Sequence, residues 1–259
     1  MTAADGTDLN LQPTEELAFA GAHLYAYSYL YDKKVAATGK DVKATFTIDM
    51  KDKGGDDISM NLWMKGEPDR EVFTALSPMT EGLSRTPGMP YNIKEQPTLT
   101  FVARQHGEAW NRPFVAVYEP STRKEPSAIQ AVSYFDAEET ALTDFAGICV
   151  KSKSGRTDHI FSLSDATQTA TYQEMKVKAD YAVISNRYAG DNRTLFMGNG
   201  TQLIAPGVSI RTSVPAHVLL EQKQGKWYIL SSASCTVVIG GKKMKVEAAP
   251  KTKRCISCP

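Results

Sequence analysis

Short apolar runs recur along the whole chain, each bounded by glycine, proline, asparagine or aspartate, and they constrain the fold most strongly. The run Asp41–Met50 alternates apolar and polar residues, as Val42, Lys43 and Ala44 illustrate, which is the period of a half-buried strand. Phe114–Tyr118 is apolar throughout and predicts a strand covered on both faces. No long window carries the apolar stripe of an amphipathic helix. The sequence therefore predicts an all-β fold, a large antiparallel β-sandwich of two or more stacked sheets with little or no helix.

Glycine-containing links of hairpin length separate most of these runs. The segment Ser77–Pro97 differs because it holds four prolines and two glycines, and it predicts an irregular excursion over the surface. We expect a flexible leader over residues 1–13 and a main β-sandwich over 14–205. C-terminal β-hairpins over 206–259 would continue the sandwich, with a loose tail from about residue 249.

Composition limits the partners that the chain can attract. Its 30 basic and 29 acidic residues leave a formal net charge of +1, so no overall field favours nucleic acid or an anionic membrane. No stretch approaches the length of about 20 apolar residues that a membrane-spanning helix needs. The first residues also lack the basic and apolar blocks of a signal peptide. We therefore expect neither a nucleic-acid partner nor a membrane partner.

Four cysteines and four histidines offer little for a metal or redox centre. Cys255 and Cys258 have the spacing of half a zinc site or of a redox pair, but Cys149 and Cys235 stand alone in the sequence. A simple tail is the other interpretation, and a disulfide within the tail or from Cys235 to the tail stays open. The histidines show no metal-binding spacing. We expect no metal and no cofactor.

The segment Ala103–Pro120 carries the side chains best suited to a ligand. Guanidinium groups hold a carboxylate or sulfate with two hydrogen bonds, and an indole ring offers a flat face for the apolar face of a sugar. The alternative is that Trp110 and Pro113 plug the end of the sandwich while Arg112 pairs with Glu119. The segment predicts a carbohydrate-binding loop for an acidic sugar, formed by Arg104, His106, Glu108, Trp110, Asn111 and Arg112.

The stretch Ala22–Lys34 places a histidine or tyrosine at every second position, which predicts a strand with one tyrosine-rich face. Buried hydroxyl groups cost free energy when they lack a partner, so such a face suits a wet interface better than a dry core. We expect it to contact another domain or a glycan, and Tyr27 therefore joins the candidate carbohydrate-binding residues.

The order of four segments resembles the C-terminal β-rich region of the heparinase II/III-like polysaccharide lyases. The resemblance extends over roughly residues 19–205 and rests on framework strands rather than on a catalytic signature. The segments are Gly21–Lys34, Asp57–Pro78, Thr98–Pro120 and Ala182–Ile204.

The resemblance implies an activity as well as a fold. Such lyases cleave uronic-acid-containing polysaccharides, glycosaminoglycans among them, by β-elimination, in which a base removes the proton next to the carboxylate and an acid protonates the leaving oxygen. In the family, tyrosine and histidine do this work, largely within a helical toroid that has no counterpart in this sequence. His23, Tyr25 and Tyr27 match the family's pattern of a histidine followed by aromatic residues. Because Tyr31–Lys34 lacks the second histidine of that pattern, no catalytic residue is assigned, and His23 and Tyr25 are the only candidates.

The residues and the resemblance leave three functional interpretations. In the first, the chain is the non-catalytic C-terminal module of a heparinase II/III-like lyase, inactive alone, whose partners are an upstream catalytic toroid and an acidic polysaccharide. In the second, it is a stand-alone, non-catalytic carbohydrate-binding protein. In the third, it is a complete lyase that uses His23 and Tyr25. The resemblance implies a periplasmic or secreted location for the full-length protein.

Overall fold

The computed structural model describes residues 1–15, 30–50, 54–77, 97–107, 109–142, 144–187 and 192–256. Nearly all regular structure in these residues is β-strand, and the helical element that they contain is a short 3-10 turn at Ala109–Asn111. The strands pair antiparallel in three sheets. The predicted all-β fold of antiparallel sheets is confirmed. No helix in the described residues is long and apolar enough to cross a membrane.

The chain divides into two compact units, Met1–Glu125 and Pro126–Pro259. The first unit contains two four-stranded sheets, with strand orders β1-β4-β5-β8 and β2-β3-β6-β7. These strands are β1 Thr2–Ala3, β2 Gln12–Pro13, β3 Tyr31–Ala37, β4 Val42–Ile48, β5 Ile58–Met64, β6 Arg70–Ser77, β7 Thr98–Gln105 and β8 Ala116–Thr122.

Val42, Met64 and Val72 form the buried centre of the first unit. Val42 and Met64 are cross-strand partners in one sheet, whereas Val72 belongs to the other sheet, so the two sheets pack face to face through these residues. The alternation predicted for β4 buries Val42 and Ala44 but ends at Ile48, which is 63% exposed.

The prediction that Phe114–Tyr118 is covered on both faces is wrong. Val115 is buried, but Phe114 is 50% exposed and Tyr118 is 62% exposed. β8 is the last strand of its sheet and has a single hydrogen-bonded neighbour, β5. An uninterrupted apolar run can therefore also mark an edge strand whose outer side chains meet solvent.

The second unit contains one eleven-stranded sheet. Its main path runs β18-β17-β15-β14-β13-β11-β10-β9, while β12 pairs with β13, and β16 lies between β15 and β19. The strands are β9 Ile129–Phe135, β10 Ala146–Ser152, β11 Arg156–Ser162, β12 Ala170–Tyr172, β13 Met175–Arg187, β14 Arg193–Ala205, β15 Val208–Lys223, β16 Lys226–Ser231, β17 Cys235–Ile239, β18 Lys242–Val246 and β19 Ala249–Ile256.

The longest strand of the second unit, β15, has partners along both of its edges. One edge pairs with β14. The other edge is shared, because Val208–Thr212 pairs with β17 and Val218–Lys223 pairs with β16. The β17–β18 hairpin and the β16–β19 pair are thereby joined to a single strand.

A large apolar cluster fills the second unit, and aromatic rings dominate one part of it. The rings of Phe135 and Tyr172 stack with their centroids 3.9 Å apart, and Phe161 meets Phe135 edge-on at 5.2 Å. Gly147 lies opposite Phe135 across the strand pair, and a Cβ atom there would be 2.4 Å from the Phe135 carbonyl oxygen. This packing therefore depends on a residue without a side chain.

The two units separate after Glu125, whereas the boundary expected at residues 205 and 206 falls in the turn between β14 and β15. Residues of the expected leader pair in sheets, since Thr2–Ala3 joins β4 and Gln12–Pro13 joins β3. Most of the expected tail forms β19, which pairs with β16.

Candidate functional site

The predicted carbohydrate-binding loop follows β7 in the first unit and lies against the turn that joins β5 to β6. The backbone N–H of Lys65 donates to the carbonyl of Val115 at 2.9 Å, and that of His106 donates to the carbonyl of Asp69 at 3.2 Å. These bonds join the start and the end of the loop to the same turn. The β-sandwich therefore presents the loop from a fixed base.

Arg70, the first residue of β6, is 1% exposed and links the loop to the β5–β6 turn by hydrogen bonds. Its guanidinium donates to Gln105 Oε1 at 3.0 Å, to the Lys65 carbonyl at 2.7 Å and to the Arg112 carbonyl at 3.1 Å. The same group lies 4.6 Å from the ring centroid of Phe114. Buried charges are tolerated when they are hydrogen-bonded in this way. Arg70 therefore positions the loop rather than meeting a ligand.

Arg104 and His106 meet on one carboxylate, that of Glu71 on the neighbouring strand. Glu71 and Arg104 are cross-strand partners, and Arg104 donates through Nε at 2.8 Å and Nη2 at 2.6 Å to Glu71 Oε2. His106 Nε2 lies 2.7 Å from the same oxygen. The Arg104 guanidinium also lies 5.0 Å from the ring centroid of Phe73. The structure brings Arg104 and His106 together, but on an internal partner.

The pKa of Glu71 lies below the ordinary value of a glutamate. Burial acts to raise this pKa, and the hydrogen bonds with His106 and Arg104, together with the positive charge of Arg104, outweigh it. The carboxylate therefore stays ionised near neutral pH and keeps the two side chains in place. Arg104 is therefore already paired within the fold, and its role in binding a sugar stays a prediction.

Trp110, Asn111 and Arg112 lie on the outer part of the loop. Trp110 is 81% exposed, which contradicts the alternative that this ring plugs the end of the sandwich. Arg112 Nη1 donates to the Pro68 carbonyl at 2.9 Å and lies 3.4 Å from Asp69 Oδ2. Asp69 and Pro68 thus hold one side of this half-exposed guanidinium.

The arrangement suits contact with a sugar chain more than chemistry on it. An exposed indole ring can stack on a pyranose, while the exposed side chains of His106 and Asn111 and the half-exposed Arg112 can meet polar or anionic groups beside it. Within the described residues, no group of three or more histidine, cysteine, aspartate or glutamate side chains is placed to hold a metal ion.

Other predicted residues lie outside the part that the structure describes, namely His23, Tyr25, Tyr27 and Glu108. Conversely, sequence reasoning missed Arg70 and Glu71. Their only signal was a pair of opposite charges at the start of an apolar strand, which does not reveal that one is buried and the other collects two donors.

Comparison with known proteins locates a similarity in the second unit. Residues 129–222 match the family model of the endo-acting ulvan lyase C-terminal domain, a range that runs from the start of β9 to the last residue but one of β15. The chain is also 31% identical over 169 residues to an endo-acting ulvan lyase of Formosa agariphila, an alignment that covers 63% of this chain. It covers 19% of the relative, so the chain spans about a fifth of the length of the protein it matches.

The match supports the resemblance to the C-terminal region of polysaccharide lyases. The similarity is to an ulvan lyase, and the heparinase II/III-like type is not shown. The loop that carries Trp110 lies in the first unit and outside residues 129–222. Over those residues, this chain is similar to the C-terminal domain of a polysaccharide lyase.

Proposed function

We propose that the chain is the C-terminal module of a polysaccharide lyase, and that it holds acidic polysaccharide while the bond is cleaved elsewhere in a longer protein. The observation that carries this proposal is the match of residues 129–222 to the C-terminal domain of ulvan lyases. The relative is about five times longer than the aligned part, which leaves room there for a catalytic domain.

The ligand follows from the name of the relative and from the chemistry of the first unit. We take ulvan as the first candidate, and other uronic-acid-containing polysaccharides, such as those of heparinase II/III-like lyases, as the next. In this proposal Trp110 stacks on a sugar ring and Arg112 contacts a carboxylate or sulfate beside it. The longer protein would cleave by β-elimination and reach its polymer outside the cytoplasm, in the periplasm or after secretion.

Tryptophan fluorescence gives a direct test of the loop. Trp63 and Trp227 are each 5% exposed, so Trp110 is the tryptophan whose emission a bound sugar ring would change. We expect ulvan oligosaccharides to shift the emission of the full chain. Trp110→Ala should abolish the shift and weaken binding by about tenfold, which lies within the range of about 1–3 kcal/mol for the comparable stacking of a nucleic-acid base on an aromatic ring.

Tyr118→Ala is the matched control, because Tyr118 is also an exposed aromatic residue of the first unit. It should leave both binding and the melting temperature unchanged. Equal affinity of the wild-type chain and Trp110→Ala would contradict a role for the loop, and a lost melting transition in Trp110→Ala would assign the ring to the fold.

The absence of catalysis needs its own measurement. We expect no absorbance from unsaturated uronate when the chain is incubated with ulvan, heparin, alginate or chondroitin. Robust turnover would overturn the module proposal in favour of a complete lyase. If the chain binds polysaccharide without cleaving it and is not joined to a catalytic lyase domain, the stand-alone carbohydrate-binding interpretation is favoured.

A further inference from the structure

The C-terminal part of the second unit is strongly basic although the whole chain is nearly neutral. Residues 206–259 contain nine lysines and arginines against two acidic residues, Glu221 and Glu247. Glu221 is already paired with Lys223 and Lys253. Excess positive charge is therefore concentrated on the strands β15 to β19.

Two of these cations lie in one row across adjacent strands. Arg211 of β15 is opposite Thr236 of β17, and Thr236 is opposite Lys245 of β18. The neighbouring residues Ile210 and Val237 are fully buried, so the row lies on the face that points away from the core. With about 5 Å between strands, the Cα atoms of Arg211 and Lys245 are about 10 Å apart.

The row lines a cleft of about 480 Å³. The cleft offers a guanidinium, an ammonium and several hydroxyl groups, a combination that suits an anionic group on a hydroxyl-rich molecule. Its lining residues are Arg211, Thr212, Ser213, Ser234, Cys235, Thr236, Lys245, Val246 and Glu247.

The two cations are available to a ligand. Within the described part of the chain, no ion pair or hydrogen bond engages the side-chain nitrogen atoms of Arg211 or Lys245. The carboxylate that lines the cleft, Glu247, accepts a hydrogen bond from Ser234 Oγ at 3.0 Å. This differs from the first unit, where the guanidinium of Arg104 is held by a carboxylate.

We propose that the cleft between β15, β17 and β18 is an anion-binding subsite that takes a sulfate or carboxylate group of an acidic polysaccharide. Arg211 would hold two oxygens of the group, Lys245 would neutralise it from the other side, and the hydroxyls of Ser213 and Thr236 would meet neighbouring sugar hydroxyls. The choice of a polysaccharide rests on the proposed function. The anion site itself rests on the geometry of the cleft.

The first experiment uses inorganic sulfate as the probe. Titration of the full chain, followed by amide NMR shifts, should give shifts centred on residues 211–213, 234–236 and 245–247. These shifts should disappear in the Arg211→Ala/Lys245→Ala double variant and persist in Lys226→Ala, which removes an exposed charge on β16, opposite the far end of β15. Shifts that are absent or spread over the whole basic region would overturn the anion site.

The second experiment uses ulvan, in native, desulfated and carboxyl-reduced forms. Arg211→Ala and Lys245→Ala should each weaken binding by about tenfold, and Arg211→Lys by less, because a lysine keeps the charge but loses the two parallel hydrogen bonds. Lys226→Ala should change affinity less than about twofold. The form of ulvan that loses affinity identifies the group that the cleft takes.

The outcomes separate the two proposals. Unchanged binding in Arg211→Ala and Lys245→Ala, with tight binding by the wild-type chain, would overturn the subsite and leave the proposed function standing. No binding by the wild-type chain would overturn the proposed function and the choice of a polysaccharide, while the sulfate titration still decides whether an anion site exists. Equal competition by a DNA duplex through Arg211 and Lys245 would assign the cleft to nucleic acid instead.

Discussion

Replacement of Arg70 by alanine removes the group that joins β6 to the loop carrying Trp110. Three acceptors, on Lys65, Gln105 and Arg112, would lose a charged donor. Hydrogen bonds to charged groups are worth about 1.5–3 kcal/mol each, so the three amount to about 4.5–9 kcal/mol. Water can reach part of the loop and satisfy some of these acceptors, and the desolvation of the guanidinium is relieved. We expect a net loss of about 3–5 kcal/mol.

Scanning calorimetry gives the first measurement of this loss. For a unit of this size, about 3–5 kcal/mol corresponds to a fall of roughly 10–20 °C in the melting temperature of the first unit. Hydrogen exchange should show faster exchange at the backbone N–H of His106, which donates to Asp69 in the loop base. Peptides of the second unit should keep their protection. A general loss of protection would mean that Arg70 is needed to fold the chain.

Two further variants serve as controls for the role of Arg70. Arg70→Lys keeps a charge but lacks the planar guanidinium that reaches three acceptors. Its melting temperature should therefore lie between those of the wild-type chain and Arg70→Ala. Arg123→Ala removes an arginine whose side chain is 84% exposed and which pairs with Asp56, and it should change stability by less than about 1 kcal/mol. If Arg70→Ala melts at the same temperature as Arg123→Ala, the buried guanidinium does not hold the loop.

Two other perturbations have defined signs. Because the folded pKa of Glu71 lies below the ordinary value of about 4.3, its contribution is present above that pH and is lost as pH falls through the folded pKa. Urea titrations between neutral pH and about pH 3 should therefore show that Glu71→Gln loses less stability on acidification than the wild-type chain does. The same pH dependence of the unfolding free energy in both proteins would contradict this. Gly147→Ala places a Cβ atom 2.4 Å from the Phe135 carbonyl oxygen and should destabilise the second unit by about 1–3 kcal/mol, while Gly39→Ala, whose Cβ has its nearest neighbour at 3.9 Å, should be near neutral by calorimetry.

The fold class could be read from the sequence because strand alternation is a local property. Val42 and Ala44 are buried as their spacing predicts, and the absence of a helical stripe agrees with the near absence of helix. The division after Glu125 could not be read in this way. It depends on which strands pair, and consecutive apolar runs look alike whether they belong to one unit or to two.

The candidate loop illustrates a similar limit for side chains. Its position after β7 and the exposure of Trp110 agree with a ligand-binding interpretation made from residue types alone. The commitment of Arg104 to Glu71 was not predictable, because the partner lies 33 residues earlier in the chain and meets it only through strand register. The same holds for Arg211 and Lys245, which become neighbours of Thr236 only when β17 lies between their strands.

The divided edge of β15 has a consequence for aggregation and for synthesis. A fragment cut at the limits of the family match, residues 129–222, would lack β16 and β17 and would expose a row of unpaired N–H and C=O groups along almost the whole strand. Such an edge is a template for pairing with another chain, so the fragment should self-associate where the full chain does not. On the ribosome, the same edge stays partly open until both β16 and β17 emerge, so these two strands protect the growing chain against intermolecular strand addition.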